Sequence, residues 1–89
     1  MKIRKGFLLR EIAGENIVIG TGEAAKNFNA MIHLNKSGAF LWRQMENRDT
    51  TKEMLLTAML EHYDVTEDIA SADIDAFLSA MRGAGLLEQ

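Results

Sequence analysis

The sequence contains no cysteine and no proline. Without cysteine, the chain cannot form disulfides, thiolate zinc sites, iron–sulfur clusters or a cysteine nucleophile, and it needs no oxidising compartment. No apolar run approaches the roughly 18 residues that a membrane span requires. We therefore expect a cytoplasmic protein with no membrane partner.

Positive charge is also scarce. The sequence has ten lysines and arginines and 13 acidic residues, which gives a formal net charge of −3. Outside the first five positions the basic residues are scattered. A chain of this charge has no general attraction for a phosphate backbone, so we expect no nucleic-acid partner.

Residue patterns typical of catalysis are missing as well. His33 and His62 have no histidine or carboxylate at i+3 or i+4 that would complete a metal-ligand set. None of the serines lies in a nucleophile elbow, and Gly20-Thr21-Gly22 does not complete a phosphate-binding fingerprint. We therefore expect neither an enzyme nor a bound metal or cofactor.

What the sequence does contain is enough apolar material for one core. It has 89 residues, 47% of them hydrophobic, which predicts a single domain over residues 1–89. Residues 7–12 and 17–20 are short apolar-rich runs separated by Ala13-Gly14-Glu15-Asn16, which indicates a hairpin with a four-residue loop. Residues 21–29 read as a connecting loop with one helical turn near residues 23–26, and we expect Phe28 to pack on the core.

A third strand over residues 31–34 runs directly into a helix. The two-residue period places Ile32 and Leu34 on one face and Met31 and His33 on the other. Asn35 is then a natural N-cap, because its side-chain oxygen can accept from the free amides of the first helical turn.

The helix that begins after this cap carries Leu41, Trp42 and Met45 at helical spacing, with Gly38 in the same sector. A second helix is expected from about residue 51 to 63, because Thr50 and Glu53 form a capping box. Its apolar residues make two strips, which predicts burial on more than one side. These strips contain Met54, Leu55, Ala58, Met59 and His62, and Leu56, Leu60 and Tyr63.

The third helix should begin near Thr66 and end at residues 82–85. At 100° per residue it has two neighbouring arcs. The first must face the core and contains Ala70, Ile74, Phe77, Leu78 and Met81. The second contains Ile69, Ala72, Asp73, Ala76 and Ala80. Alanines there either reflect helix propensity at a boundary or leave a shallow surface over which another backbone can approach.

These elements predict an α+β fold in which a three-stranded antiparallel sheet is followed by three helices, related to winged helix-turn-helix folds. The third strand is expected at the edge of the sheet. Its unpaired main-chain groups could accept a further strand.

The chain resembles the PqqD-like family of peptide chaperones. Three elements of the junction carry the resemblance: Leu34-Asn35, Ser37-Gly38-Ala39 and Leu41-Trp42. The terminal pattern from Asp73 to Leu87 adds to it. The resemblance implies a non-catalytic recognition element that binds the leader segment of a ribosomally synthesised precursor peptide by β-strand addition. It would present that peptide to a radical S-adenosylmethionine (SAM) maturase supplied in trans.

The resemblance also implies a peptide-binding cleft whose two walls are the third strand and the third helix. The peptide-binding residues expected on the strand are Met31, Ile32, His33 and Leu34. Those expected on the third helix are Ile69, Ala72, Asp73, Ala76, Phe77 and Ala80. Among these, Phe77 is expected at the floor, shared with the core, and Asp73 could pair with a basic leader residue.

Two other functions fit the same fold. A winged-helix DNA-binding module would need a recognition helix rich in basic or amide side chains, and the third helix supplies only Arg82 near its end. A general protein-interaction domain could use the same strand edge for a different partner. The edge could also pair with a second copy of the chain, which would give a homodimer.

Overall fold

The computed structural model describes residues 1–27 and 31–88, apart from the side chain of residue 27, so the expected packing of Phe28 lies outside the described residues. The architecture is α+β, as predicted. Its elements are β1 (Lys2–Ile3), β2 (Phe7–Ile12), β3 (Glu15–Gly20), α1 (Glu23–Asn27), β4 (Ile32–Leu34), α2 (Lys36–Met45), α3 (Lys52–His62), α4 (Glu67–Gly83) and β5 (Leu87–Glu88).

The main sheet has the order β2-β3-β4 and is antiparallel throughout. The hairpin loop between β2 and β3 is shorter than the sequence predicted. Ile12 pairs with Glu15, which leaves Ala13 and Gly14 as a two-residue turn. Both have positive φ values, 53° and 81°, as in a type I′ turn, whose twist matches that of the strands. The predicted four-residue loop is therefore wrong.

The core lies between the inner face of this sheet and the helices α2, α3 and α4. The predicted core arc of α4 is confirmed, because Ala70, Ile74, Phe77, Leu78 and Met81 are all buried. They pack against buried residues of β3, α2, α3 and the C-terminal segment, namely Val18, Leu41, Trp42, Met45, Leu55, Met59, Leu86 and Leu87.

Helix α3 is buried on one side only, which corrects the prediction. Leu55 and Met59 face the core, whereas Met54 and Leu60 are 41% and 38% exposed. The helix packs against α2 and α4. Its second apolar strip, formed by Leu56, Leu60 and Tyr63, is therefore only partly buried. Of the helices in the described residues, none combines the length and the apolar character needed to cross a membrane.

Side-chain caps start the helices. The Asn35 side chain accepts from the amide of Gly38 at 2.7 Å, as predicted, and that of Thr66 accepts from the amide of Ile69 at 3.3 Å. For α3 the cap is Thr51, which accepts from the Met54 amide at 3.2 Å, and not Thr50.

Thr50 does not cap α3 and instead hydrogen-bonds to a residue that is distant in sequence. Its side chain is buried, and its amide donates to the carbonyl of Met1 at 2.8 Å. The Met1 ammonium donates in turn to Thr50 O at 2.7 Å and to Oδ1 of Asp49 at 2.6 Å. The hydrogen bond from this ammonium lowers the pKa of the Asp49 carboxyl below its ordinary value.

The first and last strands form a small second sheet that the sequence did not predict. Lys2 pairs with Glu88 and Ile3 with Leu87 in antiparallel register. Gly85, with a φ of 75°, lets the chain turn back after α4. The two ends of the described chain are therefore held together, and they cover one end of the core.

Replacement of Phe77 by alanine should lower the free energy of unfolding by roughly 3–5 kcal/mol, because it removes a large side chain that packs in the core. Urea denaturation followed by circular dichroism measures this. Ile69→Ala on the same helix is the control: Ile69 is 52% exposed, so the change should stay within about 0.5 kcal/mol. Equal effects of the two substitutions would contradict the assignment of Phe77 to the core.

Candidate functional site

A cavity of about 230 Å³ separates the edge strand β4 from helix α4. Its lining residues come from β4, from the start of α2 and from the side of α4 that faces β4. They are Ile32, His33, Leu34, Asn35, Ser37, Gly38, Asp73, Ala76, Phe77, Ala80 and Met81. Seven of the ten residues predicted for the site lie in this set, so the structure brings the two predicted walls together.

The hairpin determines how the main chain of the sheet is oriented. In a two-residue hairpin, the pair that flanks the turn exchanges hydrogen bonds, and the direction of the main-chain groups then alternates along each strand. Ile12 and Glu15 are that pair. The N–H and C=O groups of Asn16 and Val18 on β3 therefore point away from β2, toward β4.

The same alternation identifies the free groups of β4. Leu34 and Ile32 lie opposite the two β3 residues whose main-chain groups point toward β4, so they use their own groups in the ladder. His33 lies between them, and its N–H and C=O point to the open edge. Because β4 is the last strand of the sheet, these groups can receive another strand.

The side chains of β4 have the predicted faces. Ile32 and Leu34 are half-buried and pack against the core, whereas His33 is exposed. The His33 ring places Nδ1 3.0 Å from Oε2 of Glu15 on β3. This contact lies on the outer face of the sheet, and it leaves the main-chain edge accessible.

Helix α4 forms the opposite wall with small side chains. Ala76 and Ala80 are exposed, and Asp73 stands one turn before them as the one carboxylate in the lining. Phe77 is 7% exposed and belongs both to the core and to the lining, which is the floor position expected for it. Larger residues at the two alanines would occupy the space that the cavity now offers.

The start of α2 closes one end of the cavity, and sequence reasoning did not include it in the site. Asn35, Ser37 and Gly38 all contribute. A Cβ on Gly38 would lie 3.0 Å from Oδ1 of Asn35 and 3.4 Å from Cβ of Leu34. The missing side chain therefore lets α2 begin against the end of β4. The cap motif was the signal that could have assigned these residues to the site.

Three predicted site residues lie outside this cavity. Met31 precedes β4 and is 61% exposed. Ile69 and Ala72 are also exposed, one turn before Asp73 and Ala76 on the same side of α4. They could extend the helical wall, but they do not enclose the space that β4 and α4 share.

The site offers main-chain hydrogen bonds and apolar surface. Among the residues that the structure describes, no three histidine, aspartate or glutamate side chains are close enough together to hold a metal ion. An open strand edge beside a shallow helical wall suits an extended peptide, whose backbone would pair with β4 and whose side chains would reach the cavity.

Comparisons with known proteins agree with this architecture. Residues 9–87 match the family model described as "Coenzyme PQQ synthesis protein D (PqqD)". No curated protein matches the sequence. Two solved structures have the same fold over 99% of this chain: TbiB1 in complex with the TbiA(beta) leader peptide and a lasso peptide synthetase B1 complexed with the leader peptide. Their TM-scores are 0.75 and 0.73, their identities 23% and 12%, and 95% and 96% of their own lengths are covered.

Proposed function

Because the chain belongs to the coenzyme PQQ synthesis protein D (PqqD) family, we propose that it is a non-catalytic chaperone for a ribosomally synthesised precursor peptide. It binds the leader segment of that peptide by β-strand addition at β4 and presents it to a radical SAM maturase supplied in trans. The observation that carries this proposal is the open edge of β4 beside the small-residue wall of α4. The two structures of the same fold, each a complex with a leader peptide, support it.

Main-chain pairing supplies the affinity. A strand added beside β4 would lie about 4.8 Å from it, where its own N–H and C=O groups would meet those of His33. Such pairing depends little on side-chain identity, so the same edge can accept leaders of different sequence. Met31 lies two residues before His33, in the same orientation, and would prolong the ladder by one more pair.

Side chains on one face of the added strand supply the specificity. Alternate residues of the guest would point toward Ala76, Ala80 and Phe77, which offer a small apolar space. Asp73 at the rim would accept a hydrogen bond from a lysine or arginine of the leader. We therefore expect a guest with apolar residues at every second position and a basic residue at the end near Asp73.

The remaining partners follow from this role. The precursor peptide is made on the ribosome, so the encounter takes place in the cytoplasm. A second copy of the chain could pair along the same β4 edge, and such a homodimer would compete with the leader for it.

The direct test is a titration of the ¹⁵N-labelled protein with the leader segment of the precursor peptide encoded beside it, followed by amide NMR. We expect shifts concentrated at residues 31–34 and 69–80, and none with a scrambled leader. Equal shifts with both peptides, or shifts that avoid β4 and α4, would contradict leader recognition at this site. Sedimentation at the same concentrations separates leader binding from dissociation of a homodimer.

Replacement of Ala76 by tryptophan should abolish leader binding and leave the fold intact, because the side chain is exposed and the indole would fill the cavity. Calorimetric titration measures the affinity, and circular dichroism the fold. Leu60→Trp is the control: residue 60 is 38% exposed on α3 and lies outside the cavity. Undiminished affinity in the folded Ala76→Trp variant would refute the cleft assignment.

Replacement of His33 by proline should weaken leader binding at least tenfold, because proline removes the N–H that points to the open edge. The β3–β4 ladder does not use that N–H, and an edge strand tolerates proline at such a position. His33→Ala keeps the N–H and should bind nearly as well as the natural chain. If both variants lose affinity equally, the imidazole and not the main chain carries the interaction.

A further inference from the structure

A second and larger cavity, of about 500 Å³, lies between the N-terminal segment and the end of α2. It shares no lining residue with the cavity between β4 and α4, which we call the leader cleft. Its walls are formed by Lys2, Ile3, Arg4, Lys5, Gly6, Phe7, Leu8, Trp42, Met45, Glu46, Asn47, Arg48 and Glu88. We call this the basic cavity.

The charge of the basic cavity is opposite to that of the chain. The lining includes four basic residues, Lys2, Arg4, Lys5 and Arg48, and only two carboxylates. The chain as a whole has a net charge of −3. All four basic side chains are exposed, and none of them takes part in an ion pair within the described residues. Four cations gathered around a concave surface attract a negatively charged partner.

Trp42, one of the lining residues, has a buried hydrogen-bond donor. Trp42 is 1% exposed, and its Nε1 is buried with no hydrogen-bond partner among residues 1–27 and 31–88. A buried indole N–H normally has a partner, because leaving it unpaired costs free energy. Because almost none of Nε1 is accessible to solvent, this donor marks the wall of the cavity and does not itself reach a ligand.

The cavity also has apolar surface. Ile3 and Phe7 are half-buried, Leu8 is 41% exposed, and Met45 lies beneath them. A ligand that satisfied only the cations would leave this surface in contact with water. The lining therefore fits a segment that carries both carboxylates and an apolar side chain.

We propose that the basic cavity binds an acidic segment of the maturase to which the leader is presented. This proposal rests on the proposed function, since a chaperone that presents its guest must hold the guest and the enzyme at the same time. The leader cleft occupies β4 and α4, so the enzyme requires another surface. The basic cavity is separate from that cleft, and its four cations and apolar surface favour an acidic partner segment that also carries an apolar side chain.

The test compares two charge-reversed variants of equal net charge. Arg4→Glu combined with Lys5→Glu reverses the cavity, and Arg10→Glu combined with Arg43→Glu reverses two exposed residues outside both cavities. Affinity for the radical SAM enzyme encoded beside the chain is measured by interferometry. We expect the cavity variant to lose at least tenfold and the control variant to lose less than threefold. Equal losses of affinity in the two variants would show that net charge alone causes the effect, and they would overturn the proposal.

The same variants separate this proposal from the function on which it rests. Leader affinity should be unchanged in the cavity variant, because residues 4 and 5 lie outside the leader cleft. If the natural chain bound the enzyme through the cavity but failed to bind the leader, the proposed function would fail and the docking site would stand. If leader binding persisted and the enzyme bound both variants equally, only the docking site would fail.

Trp42 reports on the cavity directly, because it is the only tryptophan in the chain. An amidated Asp-Glu-Leu-Asp-Glu peptide should give a saturable change in Trp42 emission and should shift its indole N–H signal. The matched Lys-Lys-Leu-Lys-Lys peptide should give neither, and free glutamate should act only at far higher concentration. Tighter binding of glutamate than of the acidic peptide would indicate a small-molecule site and overturn the assignment to a protein segment.

Discussion

The junction between β4 and α2 is the constraint on which the rest of the structure depends. Asn35 ends the strand and caps the helix with one side chain, so no flexible linker separates the two elements. Gly38 has no side chain to push α2 away from Leu34. The edge of the sheet is therefore held rigidly against the core, and a strand that adds to β4 meets a surface whose geometry is already set.

Helix α4 has two roles because its two arcs differ in side-chain size. The buried arc fills the core with mostly large residues, and the adjacent arc, which is mostly alanine, faces β4 across the cavity at Asp73, Ala76 and Ala80. Phe77 belongs to both environments. A cleft built in this way is shallow and offers apolar side chains, main-chain hydrogen bonds and the Asp73 carboxylate. Such an arrangement suits the binding of an extended peptide by strand addition.

Helix α2 connects the two concave surfaces. Its first turn, at Ser37 and Gly38, closes the proposed leader cleft, and its later turns carry Trp42 and Met45 to the basic cavity. A peptide at one surface and an enzyme at the other would therefore contact opposite ends of one ten-residue helix. The short paired strands at the chain ends complete the second surface, because they bring residues 2–5 next to the end of α2.

The sequence by itself determined what depends on local chemistry. The strand faces, the Asn35 cap and the core arc of α4 follow from periods and caps within a few residues. The assignment of β4 and the alanine arc of α4 to the two walls of a cleft came from the resemblance to the PqqD-like family. Tertiary structure decided the rest. A two-residue strand has no period, so the pairing of Lys2 with Glu88 could not be read locally. Thr50 lost its capping role to a contact with Met1, 49 residues away. The cations that line the same cavity as Trp42 come together only because distant segments meet.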